Sequence, residues 1–122
     1  MASIKSASQG DVLVIRIEEP RLMDAETVQR VNDELTIALA NTARPKVLLH
    51  LGQVTSMSSA AFGLLLRATK TCKERSMALK ISNVPPASYD VFQVTGLGKL
   101  FEIYPDVKDA MRAFEDDSIT LG

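Results

Sequence analysis

Apolar positions along this chain follow two periods, and each change of period marks a boundary between elements. Ser3 to Ser8 and Val12 to Glu18 read as two short strands on either side of the turn signal Gln9-Gly10-Asp11. In the second run Val12 and Val14, or Leu13, Ile15 and Ile17, alternate against Arg16 and Glu18, so the pair predicts a hairpin that stops at Pro20. Val28, Val31, Leu35, Ala38 and Leu39 then recur at helical spacing behind Asp24, a residue suited to cap a helix start. Asn41 to Pro45 ends that helix. Val47, Leu48, Leu49 and Leu51, interrupted only by His50, form the near-continuous apolar run of a strand covered on both faces.

Hydroxyls crowd the next junction, with four in the five residues Thr55 to Ser59, and an apolar run of helical period from about Ser59 to Arg75 follows them. Side-chain oxygens are what the unpaired N–H groups of a helix start require. Met77, Leu79 and Ile81 alternate as a further strand, so strand, helix and strand imply a right-handed crossover between parallel neighbours. Pro86 opens a helix over Ala87 to Thr95 that stops at Gly96. Leu100, Phe101, Ile103 and Tyr104 predict the last strand, Pro105-Asp106 a final helix with Val107, Ala110, Met111 and Phe114 inward, and residues from about 115 to 122 a frayed tail. These elements amount to one α/β domain over residues 1–122, a mixed sheet of about five strands with about four helices packed on it.

On a helical wheel the segment after the hydroxyls gathers Ala61, Leu65, Ala68, Thr69 and Cys72 on one side, with Phe62 beside them. The opposite side carries Ser59, Ala60, Gly63, Arg67 and Lys70 and has almost no bulk in its first two turns. Glycine within an exposed helix costs about 1 kcal/mol against alanine, and close approach by another surface is one reason to keep it. Leu64 and Leu66 lie on either flank of the buried seam, so at least one of them is expected to be partly exposed. The expected docking face for a protein partner comprises Met57, Ser58, Ser59, Ala60, Gly63, Leu64 and Arg67.

Composition narrows the chemistry. Over 122 residues, 14 Lys+Arg against 15 Asp+Glu leave a net charge of −1, which supplies no field for a nucleic-acid backbone. Aromatics make up 5% with no Trp, so stacking platforms for bases are not supplied either. No apolar run approaches the roughly 20 residues of a membrane span, and no leader pattern opens the chain, so the expected setting is the cytoplasm without membrane contact. Cys72 is the only cysteine and His50 the only histidine. Neither belongs to a ligand or catalytic cluster, so no metal, no cofactor and no enzymatic activity are expected. Gly96-Leu97-Gly98 reads as a helix stop and a turn, because no third glycine follows and no helix opens after a strand there.

The residues Lys46 to Leu51, Val54-Thr55-Ser56-Met57-Ser58-Ser59 and Val94-Thr95-Gly96-Leu97-Gly98-Lys99-Leu100-Phe101-Glu102-Ile103-Tyr104, with Asp109-Ala110 beyond, resemble the STAS domains, and within them the anti-sigma factor antagonists of bacteria. The resemblance implies a partner-switching protein whose loop serine is phosphorylated by an anti-sigma factor that is also a serine protein kinase. Aligned on Gly63, the phosphoacceptor falls on Ser59, with Ser58 as second choice. Ser58 and His50 stand where the family has aspartates, so a STAS scaffold that binds partners without phosphorylation is the alternative. The expected oligomeric state is a monomer or a weak dimer.

Overall fold

A computed structural model describes residues 3–119 of the chain. Gly10, at φ +61°, turns strand β1 (Ile4–Gln9) back on β2 (Val12–Ile17) as an antiparallel hairpin. A two-residue strand β3 (Arg21–Leu22) leads to Asp24, whose carboxylate accepts the Thr27 N–H at 2.9 Å and caps helix α1 (Ala25–Asn41). Strand β4 (Lys46–His50), a second short strand β5 (Ser56–Met57), helix α2 (Ser59–Glu74) and strand β6 (Ala78–Ser82) follow. Pro86 occupies the first turn of helix α3 (Pro86–Thr95), and Gly96, at φ +74°, ends it in the left-handed conformation. Strand β7 (Ile103–Tyr104) and helix α4 (Val107–Ile119) complete the described chain.

The main sheet has the order β1-β2-β4-β6-β7, antiparallel at β1–β2 and parallel elsewhere, while β3 and β5 form a separate parallel pair. Alternation in β4 divides its apolar run between two cores. Val47 and Leu49 join Ile15, Ile17 and Ile81 under α1, α2 and α3, whereas Leu48 joins Val12, Ala110 and Phe114 under α4. Phe92 of α3 is clamped edge-to-face between Phe62 of α2, at 4.9 Å, and Phe101, at 5.3 Å, which ties the α3 side of the molecule to the first turn of α2.

Two expectations are corrected. Leu97–Leu100 coils as a 3-10 turn, so the last strand is only Ile103–Tyr104; Phe101 is buried against Phe92 and the chain must curl to bring it there. Nor does the chain fray at residue 115. Helix α4 runs on to Ile119 because Asp117 reaches Lys80 of β6, with Nζ at 2.7 Å, while the last residues of the expected tail lie outside the described region.

Cys72 is 1% exposed, and burial pushes its thiol up to about 11. Native protein is therefore expected to resist a disulfide-exchange reagent at neutral pH, with labelling that follows unfolding, because the thiolate is the attacking species. Rapid stoichiometric labelling of folded protein, followed by absorbance, would contradict this burial.

Candidate functional site

The hydroxyl-rich junction is held by the chain that precedes α1. Thr55 donates both its N–H, at 2.6 Å, and its hydroxyl, at 2.8 Å, to the Pro20 carbonyl, and the Ser58 N–H donates to the Leu22 carbonyl at 2.8 Å. These bonds extend the β3–β5 pairing to the first residue of the cap. They also bring Met23, 45% exposed, beside the start of α2, which no local signal around Met23 announces.

Ser58 and Ser59 have separate roles. Ser58 is the N-cap of α2: its backbone is extended and its hydroxyl accepts the Ala61 N–H at 3.4 Å. Ser59 is the first helical residue, is exposed, and has no hydrogen-bond partner for its hydroxyl among the described residues. The helix geometry leaves the N–H groups of its first residues without intrahelical acceptors, and the positive end of the helix dipole lies there as well.

Beyond Ser59 the outer side of α2 is low in relief. Ala60 is exposed, Gly63 is half-buried, and a methyl group built on Gly63 would meet only the Arg67 Nη1 atom, at 3.6 Å. Among the described residues no other side chain or neighbouring element lies within 4 Å of that methyl position, so packing inside the fold gives no reason for glycine there. Arg67 is exposed and its Nε donates to Asn32 Oδ1 of α1 at 3.2 Å, across a shallow cavity of about 290 Å³ that also borders Lys70. Met57 is half-buried and packs against the core.

Leu64 does not belong to this face. It is fully buried, because its flank of α2 faces α1, and the expectation that it meets a partner is corrected. Leu66, on the other flank, is 37% exposed and falls in the stripe Ser59, Gly63, Leu66 and Lys70. The apolar member of the face is therefore Leu66.

His50 closes the turn leading to this junction. Its Nδ1 accepts the Gly52 N–H at 3.0 Å, and a side chain at Gly52 would collide with the imidazole. Burial, helped by the Arg16 guanidinium, holds its pKa below the usual histidine value. The unfolded chain therefore takes up the proton first as pH falls. Stability is expected to be highest above the ordinary histidine pKa of about 6.5 and to decline as pH drops through the lowered folded value, by less than about 1 kcal/mol for a half-exposed ring. Urea melts of wild type and His50→Asn near about pH 7.5 and about pH 5 check this, because only the wild type carries this titration.

Among the described residues no three His, Cys, Asp or Glu side chains are grouped to hold a metal ion, and no helix is long and apolar enough to cross a membrane. The STAS domain family model matches residues 3–110. An anti-sigma-factor antagonist (STAS) domain protein from Planctomyces limnophilus superposes with a TM-score of 0.79 at 28% identity, over 93% of this chain and 98% of that one. The phosphorylated form of the Bacillus cell fate determinant SpoIIAA does so with a TM-score of 0.65 at 20% identity, over 90% and 98%. A sulfate transporter family protein from Wolinella succinogenes gives 0.71 at 16%, over 88% and 87%. At such identities the last two share the fold alone, and the last shows that this fold also serves transport proteins.

Proposed function

The chain belongs to the STAS domain family, and from that premise we propose that it is an anti-sigma factor antagonist, a non-enzymatic switch that sequesters an anti-sigma factor and is released by phosphorylation of Ser59. The carrying observation is the division of labour at the start of α2. Ser58 is engaged as the cap, whereas the Ser59 hydroxyl is exposed and unpaired beside a face of minimal side-chain bulk. In the switching step the partner kinase transfers the γ-phosphoryl group of ATP to Ser59 Oγ, the hydroxyl proton leaves, and ADP departs. With Ser58 and His50 in place of carboxylates, the base and the magnesium ligands come from the kinase. The phosphate adds about −1.5 to −2 charges to a face that is desolvated when the partner docks, and so favours release.

A second reading, a STAS scaffold that is never phosphorylated, is favoured by the structural employment of both replaced positions: Ser58 caps α2 and His50 holds the Gly52 turn. Mass spectrometry of the protein from its native host separates the two. Phosphate on Ser59 in some growth condition, together with an ATPase of anti-sigma type retained by unmodified protein only, is the expected result. Absence of phosphate on Ser59 and Ser58 under every condition would overturn the switch.

A further inference from the structure

The outer edge of the sheet is open. Among the described residues β1 pairs with β2 alone, runs for six residues, and has Lys5 to Gln9 exposed. Native sheets blunt such edges by shortening, bulging, charge or proline. The opposite edge, β7, is shortened to two residues. β1 has neither bulge nor proline, and its one charge, Lys5, lies 3.6 Å from Glu18.

One bond establishes which peptide groups point outward. The Glu18 N–H donates to the Ser3 carbonyl at 2.8 Å, so residues 3 and 18 form a hydrogen-bonded pair. By antiparallel alternation Lys5, Ala7 and Gln9 also turn their N–H and C=O groups toward β2. Ile4, Ser6 and Ser8 therefore present theirs to the free edge. Helix α1 adds an apolar side chain beside this edge. Arg30 Nε donates to Ser3 Oγ at 2.9 Å and Glu34 accepts the Ser3 N–H at 2.8 Å, so the helical stripe Arg30, Glu34, Ile37 and Asn41 lies on the β1 side of α1. Ile37 in that stripe is 60% exposed.

The geometry points to a second copy of this chain as the occupant, with β1 pairing antiparallel to β1 about a two-fold axis through Ser6. In that register Ile4 meets Ser8 of the copy, Ser6 meets Ser6, and Ser8 meets Ile4. These are the three residues whose peptide groups are free, and each pair exchanges two hydrogen bonds. Lys5 falls opposite Ala7, so no like charges meet. An axis through Ala7 would leave the Ile4 groups unpaired. The two α1 flanks then lie side by side over the axis and bring the exposed Ile37 side chains toward each other. An edge of this length is smaller than the standard interface of about 1,600 Å², so the dimer is weak and concentration-dependent. The copies run in opposite directions, which leaves the two Ser59 ends free and facing apart.

Sedimentation velocity of the full chain over a concentration series is expected to show monomer passing into dimer. Ser6→Pro removes an outward N–H that the β1–β2 ladder does not use, and proline is tolerated at such an edge position. It is expected to weaken dimerisation at least about tenfold with an unchanged far-ultraviolet circular dichroism spectrum. Ile37→Lys is expected to do the same without touching the strand. A spin label on Ser6→Cys, the only accessible thiol in that variant, is expected to show short-range dipolar broadening at concentrations where the dimer forms. Sedimentation as a monomer at every concentration overturns the proposal. So does dimerisation unchanged by both Ser6→Pro and Ile37→Lys, or a spin label without broadening. If Ser6→Pro fails to fold, Ile37→Lys and the label decide.

Discussion

Ser59→Asp is expected to weaken capture of the proposed anti-sigma partner by about a hundredfold or more, whereas Ser58→Asp leaves capture within a few-fold of wild type. The contrast follows from two serines, adjacent in sequence, that stand differently on α2. An aspartate at position 58 replaces one good N-cap by another and keeps the acceptor for the Ala61 N–H. At position 59 the same charge projects onto the exposed stripe with Gly63 and Leu66, from which a partner docked as proposed would exclude water. A charge desolvated without a counter-charge in an interface costs several kcal/mol, and about 2.7 kcal/mol already corresponds to a hundredfold. Ser59→Asp is not expected to unfold the protein, because a negative charge in the first turn of a helix stabilises it by about 0.3–1 kcal/mol. Calorimetric binding titrations, paired with a melting curve for each variant, check both halves. Equal losses at the two positions would mean that charge anywhere near the loop, and not Ser59 itself, controls docking.

Removing both carboxylates from Lys80, as Glu102→Gln with Asp117→Asn, is expected to cost about 3 kcal/mol of stability, toward the low end of what a buried unpaired charge costs. Lys80 is fully buried in β6, with Nζ 2.8 Å from Glu102 and 2.7 Å from Asp117, and over the rings of Tyr104, at 5.3 Å, and Phe114, at 4.9 Å. The carboxylates are themselves 56% and 60% exposed, so solvent screens both pairs and the low end applies. Lys80→Met is expected to be nearly neutral, since it fills the same space and buries no charge. Burial works to lower the Lys80 pKa, the Asp117 and Glu102 carboxylates raise it, and the balance lies above the usual lysine value. The stabilisation this group provides is therefore complete below the ordinary lysine pKa of about 10.4 and fades as pH climbs through the raised folded value. Denaturant melts of the three proteins at neutral and alkaline pH test the cost and its sign. A double variant as stable as wild type would show that the helix end does not depend on this contact.

Much of this architecture is legible from residues close together in the chain. Gly10, Asp24, Pro86 and Gly96 each do what their local chemistry implies, and the boundaries of the first hairpin and of α1, α2 and α3 fall near the expected places. The junction at Ser58 and Ser59 is legible as a helix start, and the STAS resemblance over most of the chain agrees with the family match. Nothing local marks Lys80 as a core residue. In the alternation Met77, Leu79, Ile81 it occupies a position facing away from the first core, and only α4, packing on the second face nearly forty residues later, buries it. The 3-10 turn at Leu97–Leu100 is not legible locally for a related reason, because the demand to place Phe101 against Phe92 outweighs the apolar run that reads as strand.

The hydroxyl-rich start of α2 shows where that division falls. Its cap, its helical period and its bare outer turn are properties of residues within about one turn of one another, so they can be read from the chain in order. Which flank of the helix is covered depends on elements tens of residues away. Helix α1 takes Leu64 into the core and leaves Leu66 outside, and the β3–β5 pairing brings Met23 alongside. Periodicity specifies that a helix has an inner and an outer side. The width of the inner side, and the neighbours at its rim, come from long-range packing that no local pattern records.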